Sequence, residues 1–195
     1  MAKPNGISKQ ELISSAMRCI AENGIGKLSL KAVAEGAGVT QGTVYYHFKS
    51  KEQLLFQIVK EICESSWNEL VNTEHFDLKQ AVAQALHTAR SRCDYESFYH
   101  QVLLSLVVTS FHHPTMREQL GALFQKENDY LAQLLERLGA EFLPPEMSPQ
   151  TAGILFNALI DGLALQALLN RNFPADLVYS ELESLLTKRI KKNEK

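Results

Sequence analysis

The sequence predicts an all-α protein in two parts: an N-terminal three-helix unit containing a helix-turn-helix, and a longer C-terminal helical bundle. Three observations carry that expectation. Helix-capping residues recur along the chain at Ser8, Ser29, Thr40, Ser50, Asp77 and Ser148. Between them, apolar residues repeat at the three- and four-residue spacing of amphipathic helices. No stretch alternates apolar and polar residues as a half-buried strand would.

In chain order, Ser8 and Glu11 form a capping box opening a helix to about Asn23, with Ile13, Ala16, Met17 and Ile20 on one face. Gly24 and Gly26 end it. Ser29 caps a short helix, Leu30 to about Gly36, expected to bury Leu30, Val33, Ala34 and Ala37. Gly36 and Gly38 are expected to supply the backbone freedom for a sharp turn. Thr40 then caps Gln41 to about Phe48. Ser50, with Gln53 at the reciprocal position, caps Lys51 to about Asn72. This last helix belongs to both parts, and the domains are read as residues 1–51 and 52–195.

In the second part, Asp77 caps a helix to about Cys93, with Ala81, Ala85, Leu86 and Ala89 inward. Tyr95 to about His112 is apolar nearly all round, which places it in the middle of a bundle. Pro114 starts a long helix to about Leu138, with Leu120, Phe124, Leu131, Leu134 and Leu135 as its stripe. Leu143, Pro144, Pro145 and Glu146 read as a loop. Ser148 caps the next helix and Pro149 takes its first position, running to about Asn170. Ala175 to about Ile190 is the last helix.

Two helices crossing through a glycine-containing turn are a helix-turn-helix, whose second helix enters the DNA major groove. The residues here suit that role. Thr40, Gln41, Gly42 and Thr43 are short or amide-bearing, so the backbone can approach base edges, and Gln41 can pair bidentately with adenine. Thr43, Tyr45, Tyr46, His47 and Lys51 offer donors to phosphate, and Ser29 and Lys31 complete the expected DNA-contacting set. Val44 and Phe48, four apart, hold the helix on its scaffold. The run VTQGTVYYHFKSKEQLL resembles the signature of the TetR family of bacterial transcription regulators. The resemblance implies a DNA-binding domain followed by a helical ligand-binding and dimerisation bundle.

Net charge is −2 for the whole chain, but residues 1–51 hold seven Lys and Arg against three Glu, a net +4 that leaves −6 to the rest. A basic head on an acidic body fits one end facing phosphates. Cys19, Cys63 and Cys93 form no C-x-x-C pair, so neither a disulfide framework nor a zinc site is expected. Adjacent residues such as His112 and His113 point apart on a helix, and no metal or cofactor is expected. The N-terminus lacks the apolar core of a secretory signal. No apolar run is expected to reach the ~18 residues of a membrane span. A soluble cytoplasmic protein is the resulting expectation.

Pro149–Asn170 and the last helix have more apolar face than intradomain packing needs. Gly153, Ala158, Gly162, Ala164 and Ala167 leave room for close helix approach. A homodimer interface is therefore expected at Ala158, Asp161, Gly162, Leu165, Leu182 and Leu186, as is common in the family, with a cationic effector in the pocket as the alternative role of Asp161. Trp67, Tyr95, Phe98, Tyr99, Phe111, Phe124, Asn128 and Asn157 are expected to line a small-molecule pocket with mostly neutral walls, suited to an apolar or aromatic effector. Cys93, His100 and Asp161 could be combined into a hydrolase triad, but no nucleophile elbow accompanies them, and no enzyme is expected. The reading is a repressor that binds a palindromic operator in double-stranded DNA as a homodimer and is released by a small effector. The alternative is a DNA-bound organiser whose body recruits a protein.

Overall fold

The computed structural model describes residues 6–71, 78–138, 143–144 and 146–193. The expected Asp77 cap and Pro145 lie outside them. The described residues form nine α-helices and no strand: α1 Lys9–Asn23, α2 Leu30–Ala37, α3 Gln41–Phe48, α4 Lys51–Val71, α5 Leu78–Ser91, α6 Phe98–Ser110, α7 Pro114–Leu138, α8 Pro149–Leu169 and α9 Ala175–Asn193. The chain divides into two compact units, Met1–Glu61 and Ile62–Lys195, and the division falls inside the unbroken α4.

Local chemistry sets the first unit. The Ser8 hydroxyl accepts from Glu11 N while the Glu11 carboxylate accepts from Ser8 N at 2.8 Å, so two orphan donors of α1 are satisfied reciprocally. After Gly24 a 3₁₀ turn, Ile25–Lys27, leads to Leu28, which is buried. Ser29 accepts from Ala32 N at 3.1 Å to start α2. Leu12, Ile13, Ala16, Ile20, Val33, Val44, Phe48, Leu54 and Ile58 close the core of this head. Of the two glycines expected at the turn, only Gly38 is left-handed, at φ +68°. Gly36 stays helical and serves packing: a Cβ there would sit 2.8 Å from the Ser15 hydroxyl of α1.

In the second unit α7 and α8 make the most extensive helix pair. Their backbones touch at Gly153, where a Cβ would lie 2.6 Å from the Asn128 carbonyl and 3.1 Å from Ala132 N. The small residues of α8 therefore divide. Gly153, Ala164 and Ala167 are buried within the chain, while Ala158 is exposed and Gly162 faces open space. Val82, Leu86, Ala89, Cys93, Leu135, Ala175 and Tyr179 complete a core between α5, α7, α8 and α9, and the Arg90–Asp176 ion pair at 2.7 Å links α5 to α9.

Three expectations are corrected here. α6 is not surrounded on all sides within the chain: Tyr99, Val102, Leu103 and Leu106 are buried, but Gln101, Ser105 and Val108 form an exposed flank. It also starts at Phe98, leaving Tyr95 in the preceding turn. And α8 is long and apolar enough to cross a membrane by length and composition, with a mean hydropathy of 1.7. That apolar content serves two faces at once, one packed on α7 and one carrying the exposed Ile154, Leu155, Leu159 and Leu165.

The contact at Gly153 gives a direct test. Gly153→Ala should destabilise the protein, because forcing a methyl into a backbone contact costs about 1–3 kcal/mol, more than the up to ~1 kcal/mol that alanine's helix propensity returns. Gly121→Ala, on α7 with nothing within 4 Å of its Cβ position, should instead stabilise. Paired urea melts of the two variants measure both signs.

Candidate nucleic-acid interface and interior cavity

Thr40, at φ −80° and ψ 152°, is extended, and its hydroxyl accepts from Thr43 N at 3.2 Å to open α3. The helix then divides by period. Val44 and Phe48 are buried, while Gln41, Gly42, Tyr45, Tyr46 and Lys49 are exposed, Tyr46 by 74%. Thr43 and His47 are half-buried at the margins. The exposed set carries an amide, two phenols and an ammonium on one surface, the mixture that contacts base edges and phosphates.

Sequence reasoning missed Lys49. Its Nζ lies 5.4 Å from the Tyr45 ring centre and 5.3 Å from that of Tyr46, so the cation is held on the outward aromatic face. It is also the described non-glycine residue with positive φ, at 62°. A lysine four and three residues after two exposed tyrosines was the available signal. Lys51 is placed differently from a free phosphate donor: half-buried, it donates to the Ile25 carbonyl at 3.1 Å and ties the 3₁₀ turn to α4. Lys31 is exposed and pairs loosely with Glu35 at 3.8 Å, and the Ser29 hydroxyl is engaged as the α2 cap.

In the second unit, α4 to α8 enclose a cavity of about 50 Å³. Trp67, Tyr99 and Asn157 line it. Asn128 stands behind, accepting from Asn157 Nδ2 at 2.9 Å. Phe98 and Phe124 are partly buried elsewhere and do not line it. Tyr95 and Phe111 are 41% and 60% exposed, each beneath an arginine, Arg171 and Arg117 respectively. The turn before α6 and the end of α6 carry these two rings outward.

Among mostly neutral walls the lining also carries ionisable groups. Glu127, Asp161, Arg92 and His100 all face the cavity. Asp161, expected on the dimer surface, points inward because it lies one turn beyond the buried Asn157, and its carboxylate is 3.8 Å from His100 Nε2. His100 Nδ1 sits 2.8 Å from the Ser97 hydroxyl and 3.1 Å from the Arg92 carbonyl, an oxygen that can only accept, so Nδ1 is placed to donate. Tyr99 and Cys63 share a hydrogen bond at 3.1 Å, and Trp67 stacks on Tyr130 at 5.3 Å. Glu127 was legible in principle: Leu120, Phe124, Glu127, Leu131 and Leu134 follow one stripe.

The outer faces of α8 and α9 expose Ile154, Leu155, Leu159, Leu165, Leu169, Leu177 and Leu185. An apolar groove of about 410 Å³, walled by Leu143, Met147, Leu155, Phe156, Leu185 and Leu186, runs beside them. Of the expected interface residues, Ala158 and Leu165 are exposed, Gly162 is half-buried over open space, and Leu182 and Leu186 pack partly against the core.

Burial raises the Glu127 pKa, and the nearby Asp161 carboxylate adds to it; Cys63, Asn157 and the Arg92 guanidinium pull the other way. A carboxyl whose pKa rises on folding holds its proton more tightly in the folded chain. Its penalty is absent below the ordinary value of 4.5 and grows as pH climbs through the raised one. The melting temperature of the wild type should therefore fall relative to Glu127→Gln between about pH 4 and about pH 8, read by circular dichroism. Parallel curves for the two proteins would contradict the assignment.

Residues 12–58 match the family described as bacterial regulatory proteins, tetR family, and residues 78–191 match the BetI-type transcriptional repressor, C-terminal. Over 63 residues the chain is 38% identical to the HTH-type transcriptional regulator AcrR of Shigella flexneri, covering 32% of this chain and 29% of AcrR, so the match spans less than a third of that relative's length. Over 171 residues it is 27% identical to the HTH-type transcriptional regulator BetI of Escherichia coli (strain K12 / DH10B), covering 84% of each. Among solved structures, a transcriptional regulator from Saccharomonospora viridis in complex with choline has the same fold, with a TM-score of 0.67 at 19% identity over 95% of this chain and 96% of that one. The chain belongs to the TetR family of bacterial transcriptional regulators, with a body of the BetI repressor type.

Proposed function

We propose that the protein is a dimeric repressor that reads a palindromic operator with α3 of each subunit and lets go when a small cationic effector fills the α4–α8 cavity. The observation that carries the DNA half is the exposed Gln41, Tyr45, Tyr46 and Lys49 surface on a helix anchored by Val44 and Phe48. The exposed leucines of α8 and α9 support assembly through those helices, since apolar patches of that extent mark interaction surfaces. A two-fold dimer sets two reading helices about one turn of DNA apart, ~34 Å, or a multiple of it.

The effector half rests on the cavity. Two carboxylates line the cavity, Glu127 buried and Asp161 partly exposed, and favour a counter-cation, and the faces of Trp67 and Tyr99 attract one as well. The walls thus favour a cationic end over the neutral apolar molecule expected from composition. The choline carried by the Saccharomonospora viridis regulator is a ligand of this class. Release follows from linkage: an effector that binds the DNA-free state better must weaken operator binding by the same factor. Operator selection with the purified protein, followed by footprinting with and without candidate amines, tests the whole reading. A palindromic footprint that no amine disturbs would remove the effector half and favour a protein partner for the body.

Two substitution sets test the parts. Gln41→Ala should weaken operator binding by about 1–3 kcal/mol and relax preference at one base position. Lys49→Ala should weaken all sequences alike and reduce the salt slope by about one unit. Binding assays across a salt series separate the two roles. Ala158→Glu or Leu165→Glu, both at exposed positions, should give a folded monomer in sedimentation with collapsed operator affinity. A monomeric wild type at micromolar concentration would overturn the dimer.

A further inference from the structure

The cavity already contains a cation. Arg92 follows α5, and its guanidinium carbon lies 5.1 Å from the centre of the Tyr99 ring, among Glu127, Asp161 and Trp67. Its Nε is buried without a hydrogen-bond partner. An unsatisfied buried donor is held less firmly than a fully bonded one, and a guanidinium normally uses its whole fork. The main chain of Arg92, in contrast, is fixed, because its carbonyl faces His100 Nδ1 at 3.1 Å and that ring is braced by Ser97 at 2.8 Å. The side chain can therefore leave without moving the backbone that carries it.

Space points the same way. A cavity of about 50 Å³ has room for a few waters but is far below the ~300 Å³ at which pockets begin to hold organic ligands. A ligand must take the volume of a side chain, and a cationic one duplicates most closely the chemistry of Arg92, the permanently charged cation of the lining. We propose that the Arg92 guanidinium occupies the cation seat of the cavity and that the ammonium group of the effector enters by displacing it. This inference rests on the reading of the cavity as the effector site. Apparent affinity is then set by competition: the fraction of molecules with the seat vacant scales the intrinsic affinity. Arg92 selects for cations that outcompete a tethered guanidinium, and it keeps weak ones out.

Trp67, the single tryptophan of the chain, lines the same cavity and reports on it by fluorescence. The probes are choline and 3,3-dimethylbutan-1-ol, its uncharged isostere. In the wild type, choline should change Trp67 emission saturably and the alcohol should bind far more weakly. Arg92→Met keeps the stem and removes the charge, and should tighten choline about tenfold. Arg92→Lys keeps a cation and should stay within a few-fold of wild type. Thermal melts verify that both variants fold, and the ¹⁵N-labelled arginine Nε–H signals of wild type should include one that shifts with choline and is missing in Arg92→Met. If Arg92→Met binds choline with unchanged affinity, the displacement is wrong while the effector site stands. If it binds more weakly, Arg92 contacts the ligand and the seat assignment is overturned. If the alcohol binds as well as choline, the seat is not cationic and the proposal fails. If neither probe reaches Trp67, the cationic effector reading falls and takes the proposal with it.

Discussion

The carbonyl oxygen of Asn128 lies 2.6 Å from where any side chain at residue 153 would place its first carbon, and this contact governs the C-terminal body. With two helix backbones touching, α8 has one distance and little freedom of rotation against α7. One turn further on, Asn157 meets the Asn128 side chain, and one turn beyond that Asp161 arrives inside the cavity opposite His100. The same rotation turns Ala158 and Leu165 outward. A single missing Cβ thus decides which polar groups of an apolar helix are withdrawn from water and which apolar ones remain in it.

The cavity is electrically strained as a result. Burial pushes the Cys63 thiol and the Tyr99 phenol upward, so both stay protonated and act as hydrogen-bonding neutrals. Glu127 is driven in the same direction by burial and by Asp161. A carboxylate buried as Glu127 is costly, and a cation beside it offsets part of that cost. Arg92 does this, yet its own Nε is left without a partner. The compromise is characteristic of a site whose resting arrangement is not its best one.

How much of this was legible follows from the range of the forces involved. Caps depend on three or four consecutive residues, so Ser8, Ser29, Thr40 and Ser148 could be read directly, and with them the starts of α1, α2, α3 and α8. The division of α3 into an anchored and an exposed face was equally local. What could not be read depends on partners far along the chain. Gly36 looks like a turn residue until Ser15 is found against it, and Ala164 looks like an interface residue until it is found buried within the chain. Asp161 follows the same rule. Its spacing from Asn157 put both on one face, but only the neighbouring helices say whether that face looks inward. Tyr95 and Phe111 were assigned by type alone, and aromatic character carries no direction.

Lys49 follows α3 with φ at 62° and ψ at −35°, a sparsely populated region for a residue with a Cβ, at a cost of roughly 1–3 kcal/mol. The reversal between α3 and α4 imposes that conformation whatever residue occupies the position. β-Branched residues are the least able to adopt it; glycine is the most able, followed by asparagine and aspartate. The side chain best placed beside the two exposed tyrosines is therefore drawn from a short alphabet.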